Sequence, residues 1–128
     1  MRLLLDTAAF LWWITDSDRL SDRARELLGD ADNDVWFSAV SSWELVIKAA
    51  LGRVKLPEKA ERFIPKHLAV NGFQILPIHL RHTLRVAALP GHHRDPFDRL
   101  LVAQALVEGL TLLSSDRQLT RYAGPVVW

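Results

Sequence analysis

The chain has 128 residues, 49% of them hydrophobic, and a formal net charge of +1. This length suits one domain with its own core, so we expect a single domain over residues 1–128. The near-neutral charge gives no global argument for nucleic-acid binding, and the lack of cysteine excludes disulfides and thiolate metal ligands. An acid at position 6 interrupts the first apolar run, and no segment has the apolar length of a membrane span. A soluble, cytoplasmic protein is therefore expected.

Apolar runs alternate with helix-capping residues through the first half of the chain. The run before Asp6 is typical of a buried strand. Ser21 and Ser38 stand where helix N-caps are expected, and Gly52 stands where a helix should end. These signals predict strands at residues 2–5 and 35–37, and helices at residues 8–14, 21–31 and 38–51.

The second half is less regular because prolines interrupt it. A helical stretch from Leu56 to Asn71 contains Pro65, which we expect to kink or divide it. Pro77 should place the end of the third strand near the sheet edge. The remaining predicted elements are strands at residues 73–78, 110–113 and 126–127, helices at residues 79–89 and 95–108, and a short helix ending at Tyr122.

Strands separated by helices predict right-handed crossovers and a parallel sheet covered by helices on both faces. In such sheets, ligands bind beyond the carboxyl ends of the strands. Acids stand at this edge of the predicted sheet: Asp6 ends the first strand and Asp116 follows the fourth. Glu44 lies about two turns into the helix after the second strand, and Asp98 heads the helix before the fourth.

Each of these acids also has an ordinary structural interpretation. Asp6 and Asp116 are good helix N-caps. Glu44 lies too deep in its helix to cap it, and either pairs with Lys48 at i+4 or, if buried, needs a cation or a proton. Two carboxylates about 4 Å apart repel by roughly 4 kcal/mol at an effective dielectric near 20, and a divalent ion would remove that repulsion. Oxygen ligands without cysteine favour Mg²⁺ or Mn²⁺.

Two aspartates begin the apolar helix at residues 95–108. Asp95 suits the N-cap, Pro96 the first helical position and Asp98 the third, as in a capping box with acids in both roles. Because Asp98 is shorter than the Glu or Gln that usually reaches back, its carboxylate is available for another role.

Histidines and arginines cluster between residues 79 and 94 without an acid among them. This run is interpreted either as a solvated face or as a strip that contacts phosphates. The sequence has no HxxxH pair that would indicate zinc. His79 and His82 share a helix face, and we expect both at the surface.

Four motifs carry a family resemblance: LLLDT at residues 3–7, SSWEL at 41–45, HRDPFDRLLVAQA at 93–105 and LLSSDRQLTRY at 112–122. Together they resemble PIN-domain proteins, most closely the VapC ribonuclease toxins of type II toxin–antitoxin systems. The resemblance implies a three-layer α/β/α sandwich with a small central parallel sheet, and an acidic pocket that binds Mg²⁺ or Mn²⁺ for endonucleolytic cleavage of RNA. It also implies a homodimer and a VapB-type antitoxin whose C-terminal segment covers the pocket.

The resemblance assigns roles to individual residues. The four acids match the family's acidic positions, with Asp6 and Asp98 expected as direct metal ligands, and Thr7 and Ser114 match its hydroxyls. Asp95 matches no core acid and is interpreted as the helix cap that supports the site. The full set of predicted site residues is Asp6, Glu44, Asp98 and Asp116 as catalytic, Thr7, Ser114 and Asp95 as supporting, and Arg94, Arg99 and Arg117 as RNA contacts. Charge balance with the neighbouring acids explains Arg99 and Arg117 equally well.

Two alternatives remain. A catalytically inactive RNA- or protein-binding module would keep the same fold. A receiver-like phospho-acceptor domain has a similar length and an acidic edge, but it needs paired acids after the first strand and a lysine after a late one. Asp6 stands alone after the first strand, and no lysine follows Lys66.

Overall fold

A parallel sheet of five short strands forms the centre of the molecule within residues 1–91, 95–121 and 125–128, which the computed structural model describes. The strand order is β3-β2-β1-β4-β5, and every neighbouring pair is parallel. The strands are β1 (Arg2–Leu5), β2 (Asp34–Ser38), β3 (Gln74–Leu76), β4 (Thr111–Leu113) and β5 (Val126–Val127). Receiver domains have the order 2-1-3-4-5. The receiver-like alternative is therefore wrong.

Helices cover both faces of this sheet. They are α1 (Thr7–Ile14), α2 (Asp22–Gly29), α3 (Ala39–Ala50), α4 (Ala60–Asn71), α5 (Leu80–Val86) and α6 (Pro96–Glu108), followed by a 3₁₀ helix at Arg117–Arg121. The predicted end of this last helix at Tyr122 lies outside the described residues. No helix in the described part of the chain is long and apolar enough to cross a membrane.

Predicted capping residues begin and end the helices. Oγ of Ser21 accepts from the N–H of Ala24, and Oγ of Ser38 accepts from the N–H of Val40, so both serines cap as expected. Gly109 ends α6 with φ 66°, a conformation that glycine adopts without a Cβ penalty.

Two apolar cores lie on opposite faces of the sheet because successive side chains of β1 alternate. Leu3 and Leu5 pack with the α1 residue Phe10, whereas Leu4 packs with the α6 residue Leu101. All five are fully buried. The predicted three-layer α/β/α sandwich is thus confirmed.

The predicted start of the helix that contains Pro65 is wrong, because helix α4 begins at Ala60, later than expected. The helix continues through Pro65 without dividing, so a kink at this proline stays a prediction. Proline removes only one helical N–H at this position. The buried side chains of Ala60, Phe63, Ile64 and Leu68 anchor the helix on both sides of it. The following strand is three residues long and lies at the sheet edge, as Pro77 predicted.

His82 is fully buried, so its predicted place at the surface is wrong. Its Nε2 lies 2.8 Å from Oε1 of Glu108, and its Nδ1 accepts from the backbone N–H of His79 at 3.0 Å. Bonds from His82 and Arg81 lower the pKa of the Glu108 carboxyl. Glu108 of helix α6 therefore provides an acidic partner for the basic run at residues 79–94. Three residues of that run, His92, His93 and Arg94, lie outside the described residues.

Candidate active site

The strand order brings the predicted acids to one edge of the sheet. Asp6 follows β1, which lies between β2 and β4, and its Oδ1 accepts from the N–H of Ala9 at 2.7 Å to cap α1. Asp116 follows β4, and its Oδ1 accepts from the N–H of Gln118 at 2.9 Å at the start of the 3₁₀ helix. Both acids therefore serve as caps, as their ordinary interpretation predicted.

Asp6 is a buried acid of the site. Its side chain is buried, and this burial is the main reason that its pKa rises to about 6. Hydrogen bonds from Ser114 and from the Ala9 N–H lower this pKa, while the carboxylates of Glu44 and Asp116 raise it. Glu44 and Asp116 thus each lie close enough to Asp6 to repel its carboxylate.

Glu44 is buried with only 5% exposure, and both of its carboxylate oxygens have a partner. Oε1 accepts from Oγ1 of Thr7 at 2.6 Å, and Oε2 pairs with Nζ of Lys48. Oγ of Ser41 lies 2.9 Å from the same Thr7 oxygen. The expected pairing with Lys48 is therefore confirmed, and it holds although the carboxylate is buried.

The N-terminus of α6 supplies the remaining acids. Oδ1 of Asp95 accepts from the N–H groups of Phe97 at 2.8 Å and Asp98 at 3.3 Å, which makes Asp95 the N-cap, as predicted. Asp98 lies in the first turn and is partly buried. The bond to Glu44 raises the pKa of Lys48, and the negative charges of Glu44, Asp95 and Asp98 act in the same direction. Lys48 therefore pairs with Glu44 of α3 and lies within electrostatic range of the acidic start of α6.

Ser114 contacts two of the predicted acids, one through its carboxylate and the other through its backbone. It is buried, forms the hydrogen bond to Asp6, and accepts from the N–H of Asp116 at 3.1 Å. Both predicted hydroxyls, Thr7 and Ser114, thus contact predicted acids. Ser41 and the central position of Lys48 were not predicted, although Lys48 was recognised as the i+4 partner of Glu44.

The predicted RNA-contacting arginines have different environments. Arg99 donates from Nη1 to the carbonyl of Pro90 at 2.9 Å and from Nη2 to that of Val86 at 3.3 Å, so it fixes the end of α5 against α6. Arg117 is exposed at the start of the 3₁₀ helix. Arg94 lies outside the described residues. Their contact with RNA stays a prediction.

The donor set can be compared with what a metal ion requires. Among the side chains that the structure describes, no group of three or more His, Cys, Asp or Glu residues is placed to hold an ion. The available donors are carboxylate and hydroxyl oxygens, which suit hard cations. Mg²⁺ is commonly held by one or two carboxylates while it keeps several waters. The residues therefore fit Mg²⁺ or Mn²⁺ bound partly through water.

Comparison with known proteins defines the class. The model of the PIN domain family matches residues 3–125, so the chain belongs to the PIN-domain family. Ribonuclease VapC22 of Mycobacterium tuberculosis is 32% identical over 140 aligned positions, which cover 98% of each chain. The resemblance to the VapC proteins is thereby confirmed.

Solved structures show the same fold. VapBC2 from Rickettsia felis, bound to a promoter DNA fragment, matches with a TM-score of 0.74 and 18% identity over 99% of this chain and 98% of that one. FitAcB from Neisseria gonorrhoeae matches with a TM-score of 0.70 and 20% identity over 98% and 96%. At these identities the likeness is evidence for the fold alone.

Proposed function

We propose that this protein is a metal-dependent endoribonuclease, the toxin of a type II toxin–antitoxin pair, which hydrolyses RNA phosphodiester bonds at the acidic pocket. The observation that carries this proposal is the convergence of Glu44 and Asp116 on the buried Asp6, whose pKa their negative charges help to raise. A cluster of this kind is stabilised by a cation. The ribonuclease relative supports RNA as the substrate.

Asp6 and Asp98 would hold Mg²⁺ or Mn²⁺, directly or through water. When bound, such an ion polarises a phosphoryl oxygen and lowers the pKa of a coordinated water. Glu44 or Asp116 orients the attacking water opposite the leaving oxygen. Attack of water on phosphorus would break the bond to the 3′ oxygen, which takes a proton from solvent, so the products carry a 5′-phosphate and a 3′-hydroxyl.

The neighbouring side chains keep these acids in position. Thr7 fixes the orientation of Glu44, Ser114 fixes that of Asp6, and Asp95 sets the start of the helix that carries Asp98. Arg94, Arg99 and Arg117 would contact the phosphates that flank the cleaved bond, since positively charged side chains commonly position the nucleic-acid backbone.

The protein would act as a homodimer in the cytoplasm and be inhibited by a VapB-type antitoxin whose C-terminal segment covers the pocket. Support for an antitoxin partner comes from the structural neighbours, among them VapBC complexes from Rickettsia felis and Salmonella typhimurium.

Purified protein without antitoxin tests the proposal on end-labelled RNA. We expect cleavage with Mg²⁺ or Mn²⁺, its loss with EDTA, and its loss in Asp6→Asn. Asp32→Asn is the matched control, because Asp32 is exposed and precedes β2, whereas Asp6 is buried and follows β1. Cleavage that survives EDTA or Asp6→Asn contradicts the metal–carboxylate mechanism.

An inactive binding module is the second candidate. Its support is that both carboxylate oxygens of the buried Glu44 already have partners within the protein, Thr7 and Lys48. Tight RNA binding without cleavage of any RNA in the presence of Mg²⁺ or Mn²⁺ would favour this module over the nuclease.

A further inference from the structure

We propose that Lys48 is the internal counter-ion of the acidic pocket and that its ammonium group competes with the divalent cation for the pocket's carboxylates. This inference rests on the proposed metal-dependent function, and it adds a residue that controls how strongly the site binds metal. Lys48 would therefore weaken metal binding while it holds Glu44 in position.

The contacts of Glu44 are the first observation. This carboxylate is buried, and an unpaired charge in such a place is strongly unfavourable. Thr7 donates to one oxygen, while Nζ of Lys48, one helical turn further along α3, pairs with the other. The Lys48 side chain is 32% exposed, so its charge is partly shielded from solvent. The pair is therefore part of the pocket.

The packing of α3 against α6 is the second observation. The rings of Trp43 and Phe97 meet edge to face with centroids 5.3 Å apart, and these residues directly precede Glu44 and Asp98. This contact brings the acidic start of α6 towards Lys48, whose pKa the charges of Asp95 and Asp98 help to raise after the bond to Glu44. The ammonium thus interacts with the acids of both helices.

A divalent cation at this pocket would lie in the field of the Lys48 charge. Like charges repel, and the repulsion is stronger in a partly buried site than in water. Loss of the lysine charge should therefore tighten metal binding. If Lys48 had a purely structural role, loss of its charge would weaken metal binding instead, because a disordered Glu44 and a loosened pocket would bind metal more weakly.

Isothermal titration of the full chain with Mn²⁺, in the absence of antitoxin, separates these outcomes. We expect Lys48→Met to bind Mn²⁺ about tenfold more tightly than wild type, since a neighbouring unit charge typically changes a site's affinity by that order. Lys48→Arg, which keeps the charge, should bind like wild type. Lys66→Met is the matched control, because it removes an equal charge from the partly exposed pair with Glu58.

If Lys48→Met binds Mn²⁺ no more tightly than wild type, this inference is wrong, but the proposed nuclease function is unaffected. Wild type that binds no Mn²⁺ overturns the metal-dependent function and the inference together. Circular dichroism in EDTA checks that each variant folds. Lys48→Gln replaces Lys48→Met if the latter unfolds, and an affinity equal to that of wild type again overturns the inference.

Discussion

Oγ1 of Thr7 lies 2.6 Å from Oε1 of Glu44, so the first residue of α1 is bonded to the middle of α3. Both side chains are buried. Because a carboxylate only accepts, the hydroxyl must donate. The side chain of Thr7 therefore fixes the direction in which the acid points.

Replacing Thr7 by the similarly shaped valine tests this bond. We expect the free energy of unfolding to fall by about 1.5–3 kcal/mol, because a buried charged acceptor loses its donor. Urea titration in EDTA measures this change. Thr7→Ser keeps the hydroxyl and should retain most of the stability, so equal losses in the two variants would contradict a role for the hydrogen bond. RNA cleavage should fall in Thr7→Val for the same reason.

The pKa of Asp6 predicts a pH dependence of stability. Since the pKa rises from 3.8 to about 6 in the fold, the native state binds more protons than the unfolded state between these values. Stability contributed by this group is therefore present below pH 4 and is lost as the pH rises to about 6. Asp6→Asn removes this loss and keeps an N-cap, and should be more stable than wild type at pH 7.5 by up to about 3 kcal/mol.

Denaturant titrations of wild type and Asp6→Asn at several pH values, in EDTA, provide the measurement. The two proteins should be nearly equally stable at pH 4 and diverge towards pH 7.5. A constant difference across this range would show that Asp6 is not the titrating group. Addition of Mn²⁺ should stabilise wild type at pH 7.5 and should stabilise Asp6→Asn much less.

Asp95 and Asp98 should differ in function although they are three residues apart. Asp95 caps α6 through two backbone N–H groups, and serine is also a good cap, so Asp95→Ser should fold and retain most of its cleavage activity. Asp98→Asn should fold equally well but lose activity. The measurements are thermal unfolding and RNA cleavage of both variants. Equal loss of activity in two folded variants would disprove this separation.

Much of this site could be predicted because its determinants are local. Asp6, Ser38 and Asp95 cap helices through residues two or three positions away, and such signals can be read from the sequence. The convergence of the acids follows from a general rule, that parallel strands place their carboxyl ends at one edge. These rules locate acids along the chain without specifying contacts between their side chains.

The features that were missed depend on contacts between helices. His82 is buried because α5 turns it towards Glu108 of α6, and 26 residues of sequence separate this pair. Lys48 lies near Asp98 because α3 packs on α6. Neither packing arrangement leaves a local signal, whereas the i+4 spacing of Glu44 and Lys48 does, and that pair was predicted.

Gln104 links the buried polar groups behind the site. It is fully buried, its Oε1 accepts from Oγ of Ser38, and its Nε2 donates to the carbonyl of Pro77 at 3.2 Å and lies 3.2 Å from Nδ1 of His82. Gln104→Leu would remove the partner of the Ser38 hydroxyl and of the Pro77 carbonyl, whereas Nδ1 of His82 keeps the His79 N–H, and each buried group that loses its partner should cost about 1–3 kcal/mol. Gln118→Leu is the matched control, since Gln118 is exposed and should change stability little. Urea titration compares the two variants, and similar small losses would contradict the importance of the Gln104 network.

Pro65 offers a substitution that should stabilise the protein. It lies inside α4, where proline is about 3 kcal/mol less favourable than alanine because it lacks an N–H and clashes with the preceding turn. Pro65→Ala would restore the bond to the carbonyl of Glu61 in a residue whose side chain is exposed. The unfolded chain gains freedom from the same change, which offsets about 0.4–1 kcal/mol. A net gain of about 2–2.6 kcal/mol is expected by urea titration. Pro57→Ala, outside the helix, should show no such gain. A loss of stability in Pro65→Ala would mean that packing around the proline ring contributes more than the restored hydrogen bond and the removed clash.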